Sequence, residues 1–185
     1  MGFLKTEEIK EIGFAKVGEN VLISDKASFY NPKKINIGDH VRIDDFCVIS
    51  AGEGGVDIGS YIHIAVYTCL IGRETITLND FCNISSRVSI YSSNDDYSGE
   101  FMTNPMVDSK FTNVNHEDVF IGKHVIIGSG AVILPGSKLK DGVAIGALSL
   151  VSGTIPILEM FAGVPAKFIK KRRGDLFEIE RENFK

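Results

Sequence analysis

The sequence predicts an all-β fold in which short strands wind into a three-sided parallel solenoid. Three observations carry this prediction: an apolar residue recurs every six positions, a glycine often follows it, and the hexads group in threes. A period of six fits neither the alternation of an ordinary strand nor the 3.6-residue turn of a helix. A short strand followed by a tight turn does fit, and three such units close one coil of a stacked solenoid.

The repeat covers eighteen apolar positions in a chain that is only 44% hydrophobic. The coils begin 21 and 20 residues apart at Ile37, Ile58 and Leu78, and 18 apart at Ile121 and Leu139, so the early coils carry extra residues at one corner. The positions are Val17, Ile23, Phe29, Ile37, Ile43, Ile49, Ile58, Ile64, Leu70, Leu78, Ile84, Ile90, Ile121, Ile127, Ile133, Leu139, Ile145 and Val151.

Glycine is frequent in the slot that follows each apolar residue. We expect it there because the backbone turns tightly at that point. The residues concerned are Gly18, Gly38, Gly59, Gly122, Gly128 and Gly146.

The chain is interpreted as one domain spanning residues 1–185. Its repeats occupy 17–92 and 119–155, a long polar loop occupies 94–118, and a C-terminal tail occupies 156–185. A loop of this length is usually functional or disordered. We expect a helix within Lys5–Phe14 and a short C-terminal helix over Asp175–Asn183 that caps the open end of the solenoid.

Composition narrows the function classes. With 185 residues and a net charge of −4, the chain is large enough for a core and too acidic for a general affinity for nucleic acid or anionic membranes. Its three cysteines lack metal-type spacing, its first residues are too polar for a signal peptide, and no apolar run could span a bilayer. A cytoplasmic location is the simplest expectation.

Two segments resemble the hexapeptide-repeat acyltransferases, in particular the maltose, galactoside and surface-polysaccharide branch. They are the hexads Ile121-Gly122-Lys123-His124-Val125-Ile126 and Ile127-Gly128-Ser129-Gly130-Ala131-Val132, and the closing Ala162-Gly163-Val164-Pro165-Ala166-Lys167. The resemblance implies a left-handed parallel β-helix, a homotrimer, and acetyl-CoA as the acyl donor. We expect no metal cofactor.

The resemblance also assigns cofactor residues one by one. Small residues of the last coils, Ser129, Ala147 and Ser152, match positions that line the pantetheine arm in the family. Lys167 and Lys170 hold the places of basic residues that meet the cofactor's phosphates. The contacts of a lysine with a phosphate are less directional than those of the arginine that the family often carries there.

The catalytic histidine of the family has no histidine at the matching position of this sequence. The family's histidine corresponds to Asp95, inside Asn94-Asp95-Asp96-Tyr97, so we expect His63 to be the base with Asp95 of a neighbouring subunit as its partner. Asn83, Asn94, Asp96 and Tyr97 are assigned to acceptor binding. His116 in the loop, or Asp95 itself, remains an alternative base.

The predicted activity is acetyl transfer to a hydroxyl or amine of a sugar or nucleotide-linked sugar, as in surface-polysaccharide (lipopolysaccharide) biosynthesis. The alternatives are a non-catalytic β-helix scaffold and a zinc carbonic anhydrase, which would need three converging histidines. The identity of the sugar, the choice between O- and N-transfer and the length of the acyl group stay open.

Overall fold

The protein is a left-handed parallel β-helix, described here by a computed structural model for residues 2–184. Three parallel sheets form the three sides of a prism, which we call faces A, B and C in the order in which each coil crosses them. Face A consists of the strands Lys16–Val17, Ile35–Ile37, Val56–Ile58, Ile76–Leu78, Val119–Ile121, Lys138–Leu139 and Thr154–Ile155.

Faces B and C complete each coil. Face B consists of Leu22–Ile23, Arg42–Ile43, His63–Ile64, Asn83–Ile84, Ile126–Ile127, Ala144–Ile145 and Glu159–Ala162, with Lys167–Lys171 added antiparallel at its end. Face C consists of Ser28–Tyr30, Val48–Ala51, Cys69–Gly72, Ser89–Tyr91, Val132–Ile133 and Leu150–Val151.

The eighteen predicted apolar residues form three inward columns, which confirms the hexad register. On face B, for example, Ile43, Ile64 and Ile84 are consecutive partners and each is fully buried. Val17 and Phe29 in the first coil are only partly buried. Helix α1 (Thr6–Ile12) buries Ile9 against that end of the core.

The recurrent spacing of the glycines within the chain has a different cause from the expected one. A Cβ on Gly38 would lie 2.6 Å from the carbonyl oxygen of Gly59 in the next coil, so the slot is small because coils stack closely there. At the corner between faces A and B, the left-handed turn conformation instead falls two positions later, and four of the residues that adopt it carry aromatic rings: His40, Tyr61, Phe81 and His124.

These four turn residues stack ring on ring along the corner between faces A and B. Successive ring centroids are 4.7, 4.9 and 4.8 Å apart. Helix α2 (Asp175–Asn183) packs against this column through Phe177, and Phe184 follows it. The expectation that α2 caps the open end is therefore wrong, because its aromatic contacts lie along the side of the prism.

The C-terminal end of the solenoid is covered by chain that precedes α2. Lys167–Lys171 folds back antiparallel on Glu159–Ala162, and the backbone amide of Ala166 donates to the carbonyl of Leu150 at 2.8 Å. Phe161 and Ala166 pack against the core at this end.

The long excursion leaves the solenoid at the corner between faces C and A. It opens with an antiparallel pair, Ser93–Asn94 with Asn115–His116, and contains the 3₁₀ turn Ser109–Phe111. A separate 3₁₀ turn, Pro32–Lys34, lies outside this excursion and precedes the face A strand of the second coil. Between the paired strands the loop exposes large apolar side chains, including Tyr97 and Met106, at 86% and 92% exposure.

Within residues 2–184, neither helix is long and apolar enough to cross a membrane.

Candidate functional site

Polar side chains form a row on the outer surface of face B. Arg42, His63 and Asn83 are register partners in three successive strands, each placed one residue before an inward isoleucine. Because side chains alternate across a strand, the burial of the isoleucines turns these three outward. The predicted residues His63 and Asn83 are thus direct neighbours.

His63 is held by a carboxylate of the preceding coil that the sequence interpretation missed. Its Nε2 lies 2.8 Å from Oδ2 of Asp44, and the other oxygen, Oδ1, accepts from Nε of Arg42 at 2.7 Å. The Asp44 side chain is only 6% exposed, whereas 42% of the His63 side chain is exposed. The result is a buried carboxylate that orients a half-exposed imidazole.

The protonation of Asp44 is set by opposing effects. Burial by itself raises the pKa of this carboxyl, but the hydrogen bonds and positive charge of His63 and Arg42 outweigh burial and lower the pKa below its ordinary value. Asp44 is therefore ionised at neutral pH and acts only as a hydrogen-bond acceptor.

Asp44 stands out from its own column. The residues that follow the inward positions of face B are small elsewhere in the described chain: Ser24, Ala65, Ser85, Gly128, Gly146 and Ala162. A carboxylate in a slot otherwise filled by Ser, Ala or Gly was the signal that could have identified Asp44 from the sequence.

The predicted loop residues lie away from His63 within one chain. Asn94 is paired in the antiparallel hairpin, and Asp95 and Tyr97 are exposed beyond it. Asp96 accepts from the backbone amide and hydroxyl of Ser98 at 2.8 and 2.6 Å, and chiefly the hydroxyl lowers the pKa of Asp96. The hairpin extends from face C, so these residues and His63 occupy different sides of the prism.

The alternative base His116 sits in the second strand of the hairpin. Its Nδ1 lies 2.7 Å from the hydroxyl of Ser93, and the residue is half-buried. His116 is thus anchored to the base of the loop rather than to the row on face B.

Most of the predicted cofactor residues follow one edge of the last coils. Ser129 and Ala147 are exposed in successive coils at the corner between faces B and C, where the amide of Leu148 donates to the carbonyl of Ser129. Ala162 stacks on Gly146 in the next coil and pairs with Lys167, and Lys170 pairs with Met160. Ser152 differs, because it follows the far end of Leu150–Val151, toward the corner between faces C and A.

Comparison with known proteins identifies the family to which the chain belongs. No family model matches the sequence. The chain is 57% identical, over 97% of its length and 94% of the relative's, to a dTDP-4-amino-4,6-dideoxy-D-glucose acyltransferase of Escherichia coli. It is 33% identical, over 76% of its length and 74% of the relative's, to a candidate lipopolysaccharide-biosynthesis O-acetyltransferase of E. coli strain K12. The chain belongs to the hexapeptide-repeat acyltransferases.

Solved structures agree with this assignment. The N-acyltransferase AntD of Bacillus cereus, in complex with dTDP and 3-hydroxybutyryl-CoA, superposes with a TM-score of 0.93 at 47% identity, covering 97% of this chain and 95% of AntD. A serine variant of AntD bound to dTDP-4-amino-4,6-dideoxyglucose and coenzyme A gives a TM-score of 0.94 at 46% identity, covering 98% and 96%.

The protein is therefore an acyltransferase that uses coenzyme A thioesters and acts on a sugar or nucleotide-linked sugar. The carbonic anhydrase alternative requires three histidines on one metal, but His40 and His124 are members of the stacked corner column, and Nε2 of His124 lies 2.7 Å from Glu180 of α2. Within residues 2–184, no group of three metal-binding side chains converges.

Proposed function

We propose that this acyltransferase transfers an acyl group from coenzyme A to the 4-amino group of dTDP-4-amino-4,6-dideoxyglucose. The supporting observation is the 57% identity, along nearly the whole chain, to an E. coli enzyme of that name. AntD, which binds the same amino sugar, supports N-transfer over O-transfer. The location is cytoplasmic, in keeping with three free thiols, and the product serves surface-polysaccharide assembly, in keeping with the second E. coli relative.

In this proposal His63 is the general base. The amine nitrogen attacks the thioester carbonyl, the new C–N bond forms, and the C–S bond breaks to release coenzyme A. His63 accepts the proton that the amine loses and returns a proton to the departing thiolate. A histidine suits this step because its ordinary pKa lies near working pH. The row on face B supports the assignment, since Asn83 lies beside the imidazole to contact the acceptor sugar.

A homotrimer completes the site in this proposal. Asp95, with Asn94, Asp96 and Tyr97, reaches the acceptor from the loop of a neighbouring subunit, because these residues and His63 lie on different sides of one prism. The AntD variants support a role for Asp95. They alter an aspartate and a serine ten positions apart, and Asp95 and Ser85 have the same spacing here. Since Asp44 already holds one nitrogen of His63, Asp95 would contact the acceptor amine rather than the ring.

The purified protein should acylate dTDP-4-amino-4,6-dideoxyglucose and release free thiol from an acyl-CoA. Acetyl-CoA and 3-hydroxybutyryl-CoA are offered in parallel, with thiol release followed by absorbance and the product by mass spectrometry. dTDP-6-deoxyglucose, which differs from the amino sugar only by a hydroxyl at carbon 4, is the matched control and should give no product. Acylation of dTDP-6-deoxyglucose with no reaction of the amino sugar would reject N-transfer.

Reversing the charge of Lys167 and Lys170 should weaken acyl-CoA binding by at least tenfold, because both exposed ammonium groups are proposed to contact the cofactor's phosphates. The double Glu variant should unfold at nearly the wild-type temperature, since exposed substitutions usually change stability little. Calorimetric titration measures the affinity. Lys10→Glu/Lys16→Glu, at the opposite end of the solenoid, carries the same charge change and should bind normally, and equal affinities in the two variants would reject this cofactor placement.

A further inference from the structure

We infer that Asp44 is a positioning residue that fixes the tautomer of His63. Arg42 in turn orients the Asp44 carboxylate, because it binds one oxygen and leaves the other to accept a hydrogen bond from His63. The inference rests on His63 as the proposed base. It concerns a carboxylate and a guanidinium that are not among the predicted site residues.

The tautomer follows from counting donors and acceptors. The guanidinium of Arg42 only donates, and its Nε lies 2.7 Å from Oδ1 of Asp44. An ionised carboxylate only accepts, so the contact of 2.8 Å between Oδ2 and Nε2 of His63 requires a proton on Nε2. A neutral imidazole carries one proton on its ring nitrogens, and Nδ1 is therefore left with a free lone pair.

This arrangement suits a base that works through Nδ1. The lone pair on Nδ1 can take the amine proton, while the carboxylate on Nε2 stabilises the imidazolium that forms, as in other histidine–carboxylate pairs. The ring remains 42% exposed at its side chain, so a substrate can approach a group whose other nitrogen is held by a buried partner.

A purely structural explanation for Asp44 is weaker. Burying a charge costs free energy that an ion pair often does not fully return, and replacing a whole buried pair by well-packed hydrophobic residues of similar volume is often neutral or stabilising. Neighbouring coils fill the same slot with Ser24, Ala65 and Ser85. The fold does not require a carboxylate here, whereas orienting His63 does.

Asp44→Asn tests the inference directly, because Arg42 determines the orientation of the new carboxamide group. The single carboxamide oxygen faces the guanidinium, so the NH₂ group faces His63. Nε2 must then accept a hydrogen bond, and the ring proton moves to Nδ1, where it blocks the base. We expect kcat to fall by about 10²-fold or more with KM changed less than threefold, by the usual size of a general-base contribution.

Nitrogen-15 NMR of the histidine rings reports the tautomer independently of activity. Wild-type His63 in its neutral form should carry its proton on Nε2, and Asp44→Asn should move it to Nδ1. Asp45→Asn is the matched control, because this neighbouring carboxylate contacts Ser24 and Lys26 instead of His63. Asp45→Asn should keep both the tautomer and kcat.

Adding Arg42→Ala to Asp44→Asn provides a rescue. Without the guanidinium the amide can turn its oxygen toward Nε2, so the wild-type tautomer should return and kcat should recover at least fivefold. A wild-type ring protonated on Nδ1 would overturn the inference even if a variant misfolded. So would an Asp44→Asn variant with unchanged tautomer and kcat alongside an inactive His63→Gln variant.

Failure of the base assignment would look different. In that case His63→Gln would turn over normally while the wild-type ring still carried its proton on Nε2. That result would reject His63 as the base and, with it, a catalytic purpose for the Asp44 contact, but would leave the tautomer assignment standing.

Discussion

His63→Gln should lower kcat by roughly 10²–10⁴-fold, the range usual for loss of a general base. Glutamine keeps a polar side chain of similar length in the row between Arg42 and Asn83 but cannot take up a proton near neutral pH. Acyl-CoA affinity and the oligomeric mass should stay at wild-type values, because His63 lies on face B in an earlier coil than the proposed cofactor edge. Steady-state kinetics, calorimetric titration and light scattering measure the three quantities.

His116→Gln is the control for that substitution. His116 is bonded to Ser93 at the base of the hairpin, and its replacement should leave more than a third of the wild-type kcat. Near-normal turnover in His63→Gln combined with a collapse in His116→Gln would assign the base to the loop histidine. A collapse confined to Asp95→Asn would instead assign it to the carboxylate.

Ile127→Ala should reduce the free energy of unfolding by about 2–5 kcal/mol, the usual cost of removing a buried isoleucine side chain from a packed core. Ile127 is fully buried between Ile84 and Ile145 in the inward column of face B. No other coil can move in to fill the cavity without breaking its ladder hydrogen bonds. Urea unfolding followed by circular dichroism measures the loss.

The adjacent residue is a matched control of identical chemistry. Ile126 belongs to the same strand, but it faces outward and is 38% exposed. Ile126→Ala should cost less than about 1 kcal/mol, since part of its surface is already in water. Equal losses for the two variants would contradict the register, because a shift of one residue exchanges the two faces of a strand.

The hexad pattern was sufficient to predict the solenoid, its three columns and their register. Each inward position, such as Ile43, Ile64 or Ile84, must be apolar because it is fully enclosed by the neighbouring coils. A buried column of this kind imposes its period on the sequence directly, and the period can therefore be recognised without coordinates. The left-handed sense of the coil came only from the family resemblance.

The site was partly predictable for the same reason. His63 and Asn83 occupy the same slot of equivalent hexads in successive coils, so their proximity on face B follows from the period alone. Asp44 was not recognised, because its contact with His63 joins different slots of two coils and depends on which way each side chain turns at the strand end.

The amino-acid sequence by itself determined the coil and its core, since both depend on a repeated local spacing, and that spacing places His63 and Asn83 in one slot of successive coils. Only the tertiary structure showed that Gly38 is small because a Cβ there would lie 2.6 Å from the carbonyl oxygen of Gly59 in the next coil, and that α2 lies along the aromatic corner column. It also decided that Asp44 orients His63. These features depend on contacts between coils or between the tail and the prism, and such contacts leave no period in the sequence.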